Sequence, residues 1–323
     1  MLPSVVHLMP PRAVVLLGPQ RFDPSLGESV NKLGVTGRIA VITAGWQERE
    51  SEDEDLQEHL GNRTVNLRLH ERAEDVFRAD PELKTAHRER QEVLRHRQDF
   101  YRIRLEHSIE AERVIRSRSA PSDILEDEEL ASIEAIRSLD EWHLAQCARV
   151  RKEFHLRCER PSSPVLAKHR LEVAAQLKDC EAVAIAGGHV ATLLNRLTMF
   201  EIGRLVGPRV VFAWAAGAMA ISERVVLFHD DPPQGPGVSE ILDEGLGLAP
   251  RVVVFPEPEE RLMLDRQERM ELLARRFAPA HCLGFPARSW VILKGGRYSQ
   301  PHGVLCLRRD GTHGLFDPTR DAA

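Results

Sequence analysis

EAVAIAGG at 181–188 and RVVFAWAAGAMAIS at 209–222 are the two stretches whose reading decides the fold of this chain. Each is a short run of β-branched and small apolar residues that ends in glycine or alanine and passes directly into a helix-compatible segment, HVATLLNRLTMFEIGRL at 189–205 in the first case. Strands buried on both faces of a parallel sheet read as continuous apolar runs, without alternation. AVVLLG (13–18) and RIAVITAG (38–45) are of the same kind, and TVNLRL (64–69) completes an alternating β/α opening. Beyond residue 222, ERVVLFHDD and RVVVF from Arg251 predict further strands, followed by one helix over EERLMLDRQERMELLARRF (259–277). SWVILKGG and GVLCLRRDGTHGLF alternate as an antiparallel edge does, with Asp310-Gly311 as the hairpin turn. The expected fold is α/β, a three-layer sandwich with a mostly parallel sheet and helices on both faces.

The middle of the chain differs. Of 21 glycines none lies between Gly61 and Gly187. Over 71–160 charges of both signs crowd together and apolar residues recur every three or four positions, a helical period. Leu83, Ala86, Val93, Phe100, Tyr101, Leu105 and Ile109 trace one stripe; Leu125, Ile133, Ile136, Leu139, Trp142, Val150 and Phe154 trace a second. Ser119 to Asp123 (SAPSD) supplies a turn and an N-cap between them. The prediction is a charged helical hairpin (71–160) inserted in an α/β domain made of 1–70 and 161–323. It either packs on itself as a solvated pair or offers a surface for a partner or a second copy.

Composition excludes several classes. With 42% hydrophobic and 29% charged residues the 323-residue chain is neither fibrous nor wholly disordered. The net charge of -5 provides no basic field for a polyanion, so no nucleic-acid partner is expected. Five cysteines, odd in number and without a CxxC pair, fit reduced thiols better than a disulfide framework or a zinc site. The first residues, MLPSVVHLMPPR, lack a basic start leading into a long apolar stretch, and the longest apolar run (210–221) is far short of the about 18 residues a membrane helix needs. The expectation is a cytoplasmic protein with no membrane partner. No HExxH, P-loop or GxGxxG fingerprint follows a strand, so neither a metal nor a cofactor is expected.

In an open α/β sheet the reactive site lies beyond the carboxyl ends of the strands. At Gly187-Gly188 a tight turn before a helix could present backbone N–H groups to an anion; the plain alternative is a packing turn. At 213–219, AWAAGAM has the small residues that let a strand turn sharply into a helix, the form of a nucleophile elbow, but its central position is Ala215. His189 opens a helix and could cap the crevice or stand there without a role. Cys180 precedes its strand, and His281-Cys282 begins one, positions that fit packing.

With these residues the chain resembles peptidase family S51, the aspartyl dipeptidases and cyanophycinases, within the class I glutamine amidotransferase-like fold. That family carries W-S-A-G-A or T-S-A-G-A at a strand end, preceded by a G-G turn. Trp214, Ala216, Gly217 and Ala218 match the first, Gly187-Gly188 the second, and Gly245-Leu246-Gly247-Leu248 a later G-L-G-L segment. The resemblance covers roughly 10–70 and 165–300 and excludes the hairpin. It implies that the serine position is Ala215, that the general-base histidine falls on or beside Glu257, and that the acid matches Asp230 or Asp231.

A hydrolytic triad acts as a unit: loss of its serine or histidine costs on the order of 10⁶ in turnover, leaving about 10³ to 10⁴ over water from oxyanion hole and binding. A methyl group cannot attack a carbonyl, and an ordinary carboxylate is a poor substitute for imidazole near neutral pH. The expected function is therefore binding of a peptide-like or acidic ligand, or of a protein partner, in the former active-site crevice around Gly187, Gly188, Trp214, Ala215 and Asp230. One alternative is an active hydrolase or amidotransferase-like enzyme with relocated residues, His229 and Ser222 being the candidates. Another is an assembly module acting through the hairpin. Glu257, Glu259 and Glu260 also fit acids favoured at a helix start by its dipole.

Overall fold

The computed structural model describes residues 9–159, 163–228 and 237–321. The chain opens with β1 (Ala13–Leu17), α1 (Leu26–Lys32), β2 (Ile39–Ile42), α2 (Glu54–His59), β3 (Thr64–Asn66) and α3 (Leu69–Ala79). The hairpin follows as α4 (Pro81–Arg116) and α5 (Ser122–Phe154). The body resumes with α6 (Pro164–Lys178), β4 (Ala182–Ile185), α7 (Val190–Met199), α8 (Ile202–Leu205), β5 (Val210–Trp214), α9 (Ala216–Ile221), β6 (Arg224–Leu227) and β7 (Glu240–Glu244). It closes with β8 (Val252–Pro256), α10 (Pro258–Arg261), α11 (Gln267–Phe277), β9 (His281–Phe285), β10 (Trp290–Lys294), β11 (Arg297–His302), β12 (Leu305–Leu307) and β13 (His313–Leu315).

Seven strands form the main sheet in the order β11-β10-β1-β5-β4-β2-β3. The run from β1 to β3 is parallel, and β10 and β11 add an antiparallel edge. Because side chains alternate along a strand, these apolar runs feed two cores at once. Val14, Leu16, Ala40, Ile42, Val183, Ile185, Val211 and Ala213 face one side, where they share a core with α3, α6 and α7 and, by way of α3, with the hairpin. Val15, Leu17, Ile39, Val41, Ala182, Ala184, Phe212 and Trp214 face the other, under Leu26 and Val30 of α1 and Leu60 beyond α2. The fold is thus the α/β sandwich with a parallel-rich sheet and a long helical insertion that the sequence predicts.

Details differ. The later strands leave the main sheet: β8, β9, β12 and β13 form a second sheet and β6 pairs with β7 in a third. The strand at 64–69 stops at Asn66, because Arg68 takes a left-handed conformation (φ 50°) that starts α3. The helix expected over 259–277 is two, α10 and α11, with Leu262 extended between them. That over 189–205 also breaks, at Glu201 with φ 55°. Between the hairpin helices the cap is Pro121, which offers no side-chain acceptor. Val93 and Phe100 stand 43% and 66% exposed, so the first apolar stripe splits into a buried line through Leu83, Tyr101 and Leu105 and an uncovered one.

The hairpin does not merely pack on itself. Asp140 on α5 accepts two hydrogen bonds from the Arg276 guanidinium of α11, both 2.7 Å, and one of 2.7 Å from the Tyr101 hydroxyl of α4. Arg276 also donates to the Ser239 carbonyl at 2.7 Å, and the Ile241 amide of β7 donates to Tyr101. All three side chains are buried. Burial opposes the charge on Arg276, but Asp140 and Tyr101 outweigh it and hold the guanidinium above its ordinary value; burial likewise raises Tyr101. A buried ion pair whose every donor is satisfied fixes geometry more than it adds stability, yet losing one partner strands a charge.

Asp140→Ala should therefore destabilise the protein by about 3 to 5 kcal/mol, and Tyr101→Phe by about 1 to 3 kcal/mol, in chemical denaturation. A loss under about 1 kcal/mol for Asp140→Ala would reject the clamp. His87 of α4 reports on the same docking. Its Nε2 lies 3.0 Å from Asn195 Oδ1 of α7 and its ring packs on Phe77. Burial, with help from Arg90 and Arg196, pulls its pKa down to about 4. The folded chain then binds fewer protons than the unfolded one, so this contribution is complete above pH about 6.5 and falls away toward pH 4, by on the order of 3 kcal/mol. An NMR titration should place the His87 midpoint near 4; a midpoint above 6 contradicts it.

Candidate functional site

The carboxyl ends of β1, β2, β4 and β5 all point to one edge of the main sheet, and β8 of the neighbouring sheet ends there too. Together their turns enclose a cavity of about 700 Å³, lined by Gly45, Gly187, Gly188, Trp214, Ala215 and Glu257 among others. Its floor depends on close backbone approach. A Cβ on Gly45 would collide with the Gly187 carbonyl, one on Gly188 with the Gly45 carbonyl, and one on Gly217 with the Ile185 carbonyl. A Cβ on Gly187 would come within 2.9 Å of the Ala215 methyl. The His189 amide donates to the Gly45 carbonyl at 2.8 Å and ties the two turns together.

Ala215 sits at the sharp bend between β5 and α9 with φ 48° and ψ −125°. This region favours glycine, and holding another residue there costs on the order of 1 to 3 kcal/mol. Ala216 begins α9, so its N–H is among those a helix leaves without an internal partner. It faces the Gly187 turn: a Cβ on Gly187 would lie 3.5 Å from the Ala216 nitrogen. The bend that lifts a nucleophile above the sheet is present, and it carries a methyl group.

Glu257 reaches the same cavity from the end of β8, in a left-handed conformation (φ 52°) before α10. Its carboxylate is 41% exposed and lies 3.6 Å from Arg261 Nε. Trp214 is buried and walls the floor. His189 does not line the cavity; it is exposed, and its Nδ1 accepts from the Thr192 amide at 3.2 Å, capping α7. His229, Asp230 and Asp231 lie outside the described residues. Ser222 is fully buried and its hydroxyl is bonded at 2.8 Å to the Met219 and Arg224 carbonyls, so it is sealed from any substrate. Cys147, Cys180, Cys282 and Cys306 are buried, and burial pushes each thiol up, away from thiolate chemistry.

The remaining wall comes from residues that the sequence alone leaves unmarked: Arg21, Trp46, Arg49, Glu52, Asp55 and His59. The 3-10 turn Ala44–Arg49 is positioned from behind. The Thr43 hydroxyl donates to the Glu50 carbonyl at 2.8 Å, and the Asn66 amide lies within hydrogen-bond range of Thr43 Oγ1, the Glu50 carbonyl and Asp53. His59 Nε2 accepts from the Gly27 amide at 3.0 Å, so the neutral ring carries its proton on Nδ1. Arg49 and Glu52 pair with each other at 2.6 Å. The available clue was placement: these residues follow the first two parallel strands, on the edge where such sheets bind ligands.

No family model matches the chain, and no curated protein matches it. Fourteen chains of solved structures do match. Among them the protein is similar to the crystal structure of a peptidase from an acI-B1 Actinobacterium, over 96% of this chain and 98% of that one, at 14% identity and a TM-score of 0.44.

Replacing Ala215 by glycine separates strain from packing. It removes the positive-φ cost while adding about 0.4 to 1 kcal/mol of chain entropy to the unfolded state. The net expectation is a gain of about 1 kcal/mol, or roughly 2 °C in Tm for a chain of this size. A lower melting temperature in calorimetry would mean that the bend is not strained.

Proposed function

We propose that this protein is a peptidase-like binding protein of the S51 type that has lost serine-hydrolase catalysis and holds a short peptide-like ligand in the former active-site crevice. The observation that carries the reading is Ala215: a strained strand-to-helix bend, otherwise used to present a nucleophile, is kept at the floor of an open cavity around a side chain without one. On this reading Glu257, which lines the same cavity, stands in for the base.

The cavity's size and lining support a small ligand. About 700 Å³ falls within the usual range for small-molecule sites. Trp46, Trp214, Leu26 and Leu56 give apolar walls, while Arg21 and Asp55 bring opposite charges that have no ion-pair partner among the described residues. Such a pair of charges, Arg21 lying over the Phe22 ring, complements the carboxylate and ammonium of a short peptide, and an acidic side chain would add a second anion for Arg21. The Gly187 turn and the Ala216 amide would donate hydrogen bonds to a carbonyl oxygen that no nucleophile attacks.

Incubation with a fluorophosphonate probe should leave the protein unlabelled, and aspartyl dipeptides and cyanophycin should not be turned over. Titration calorimetry with the same dipeptides should give a binding heat that Arg21→Ala and Asp55→Ala each weaken about tenfold, the loss of one charge-assisted contact of about 1.5 kcal/mol. Covalent labelling blocked by peptide would overturn the loss of catalysis. Absence of heat with every peptide would overturn the ligand class.

A further inference from the structure

Along α4 a second stripe of apolar side chains lies open to solvent. Val93, Phe100 and Ile103 are 43%, 66% and 52% exposed. With the exposed His96 and His107 they occupy positions 93, 96, 100, 103 and 107, alternating steps of three and four, the a and d places of a heptad seam. At about 100° per residue, this stripe lies roughly 150° around the helix from Tyr101, Leu105 and Gln98. Those three face inward: Tyr101 to Asp140, Leu105 into the core, and Gln98 to Glu240 of β7 at 2.6 Å. The uncovered seam therefore points away from the α/β body. Trp142 of α5, 44% exposed under the stacked Arg104 guanidinium, extends the apolar patch on one side.

Charges flank the seam with the same period. Arg90, Arg97 and Arg104 run along one side and Glu92, Asp99 and Glu106 along the other, each set repeating every seven residues. In heptad terms the arginines are e positions and the acids g positions. Two such helices side by side in parallel bring g of one against the e five residues later on the other, so that Glu92 meets Arg97 and Asp99 meets Arg104 from both sides. Antiparallel pairing instead sets arginine against arginine and acid against acid. Arg97 and Arg104 have no carboxylate partner among the described residues, Arg104 stacking instead on Trp142; Glu92 and Asp99 make exposed pairs within α4, with Arg95 at 3.8 Å and Arg102 at 2.6 Å, which docking would exchange for the pairs across the seam.

We propose that this face is the interface of a homodimer, in which α4 of a second copy docks in parallel and in register along residues 89–110. Phe100, Ile103 and Val93 form the apolar seam, with His96 and His107 as polar layers that fix the register. The α/β bodies project away from the twofold axis. No α4 residue lines the cavity at Ala215, so the dimer stands or falls independently of ligand binding.

Sedimentation of the full chain should give twice its 36.5 kDa mass. Phe100→Glu with Ile103→Glu, two exposed positions, should return a single-chain mass with the helical circular dichroism unchanged and a Tm that no longer depends on protein concentration. Orientation is read separately. Parallel pairing puts each seam residue opposite its own copy, so Val93→Cys, Phe100→Cys and Ile103→Cys should each yield a covalent dimer on mild oxidation, beyond the parent chain's background. A wild-type monomer at tens of micromolar overturns the proposal, as does a dimer that survives the double glutamate variant. Crosslinking at one of the three positions alone would signal antiparallel pairing and reject the charge argument.

Discussion

Close backbone approach at three strand-to-helix turns is the constraint on which the rest of the site depends. Gly45, Gly187-Gly188 and Gly217 lie where no side chain fits, and the turns after β2, β4 and β5 close on one another through them. Only then can Ala215 sit at the floor of a cavity, held at positive φ by the packing of its chain neighbours. The bend persists because Trp214, Ala216 and Gly217 are committed to the core below it and could not relax without opening the sheet's edge. A site can thus lose its reactive group while its frame stays fixed by packing.

The hairpin obeys a different constraint. Two long charged helices have little apolar surface of their own, and of the polar contacts that secure them to the body the most deeply buried is Asp140 with Arg276 and Tyr101. Hydrophobic contacts at Leu105, Ile136, Leu144 and Phe154 merge its inner face with the main core. The inner face of α4 is therefore spent on the body, and the line through Val93, Phe100 and Ile103 is left over. One helix with two apolar faces has two things to bury.

Much of the frame was legible from local pattern. The apolar runs before Gly18, Gly45, Gly187 and Ala215 fall in parallel strands, and the glycine-free stretch holds the two long helices of the hairpin, Pro81–Arg116 and Ser122–Phe154, between α3 and α6. Positions 187, 188, 214, 215 and 257, far apart in the chain, line one cavity. What failed to show were the details set by distant partners. The stripe that mixes Phe100 with Tyr101 has a single helical period, and only the body's position says which residue is inside. Ser222, a candidate only for a catalyst with relocated residues, is sealed by the Met219 and Arg224 carbonyls, which its position in the sequence does not show. His189 looked poised over the crevice, whereas its ring turns back to cap its own helix.

Sequence alone determined the residue types: which runs could only be buried strands, that the bend's centre holds a methyl group, and that α4 repeats its charges every seven residues. Those follow from side-chain chemistry and spacing, which need no neighbours. Tertiary structure decided that Arg21, Trp46, Asp55 and His59 wall the same cavity as Ala215, that the later strands form sheets of their own, and that Arg276 is the hairpin's anchor. Each of these joins residues separated by tens or hundreds of positions, and pairing at that distance is set by how whole layers pack.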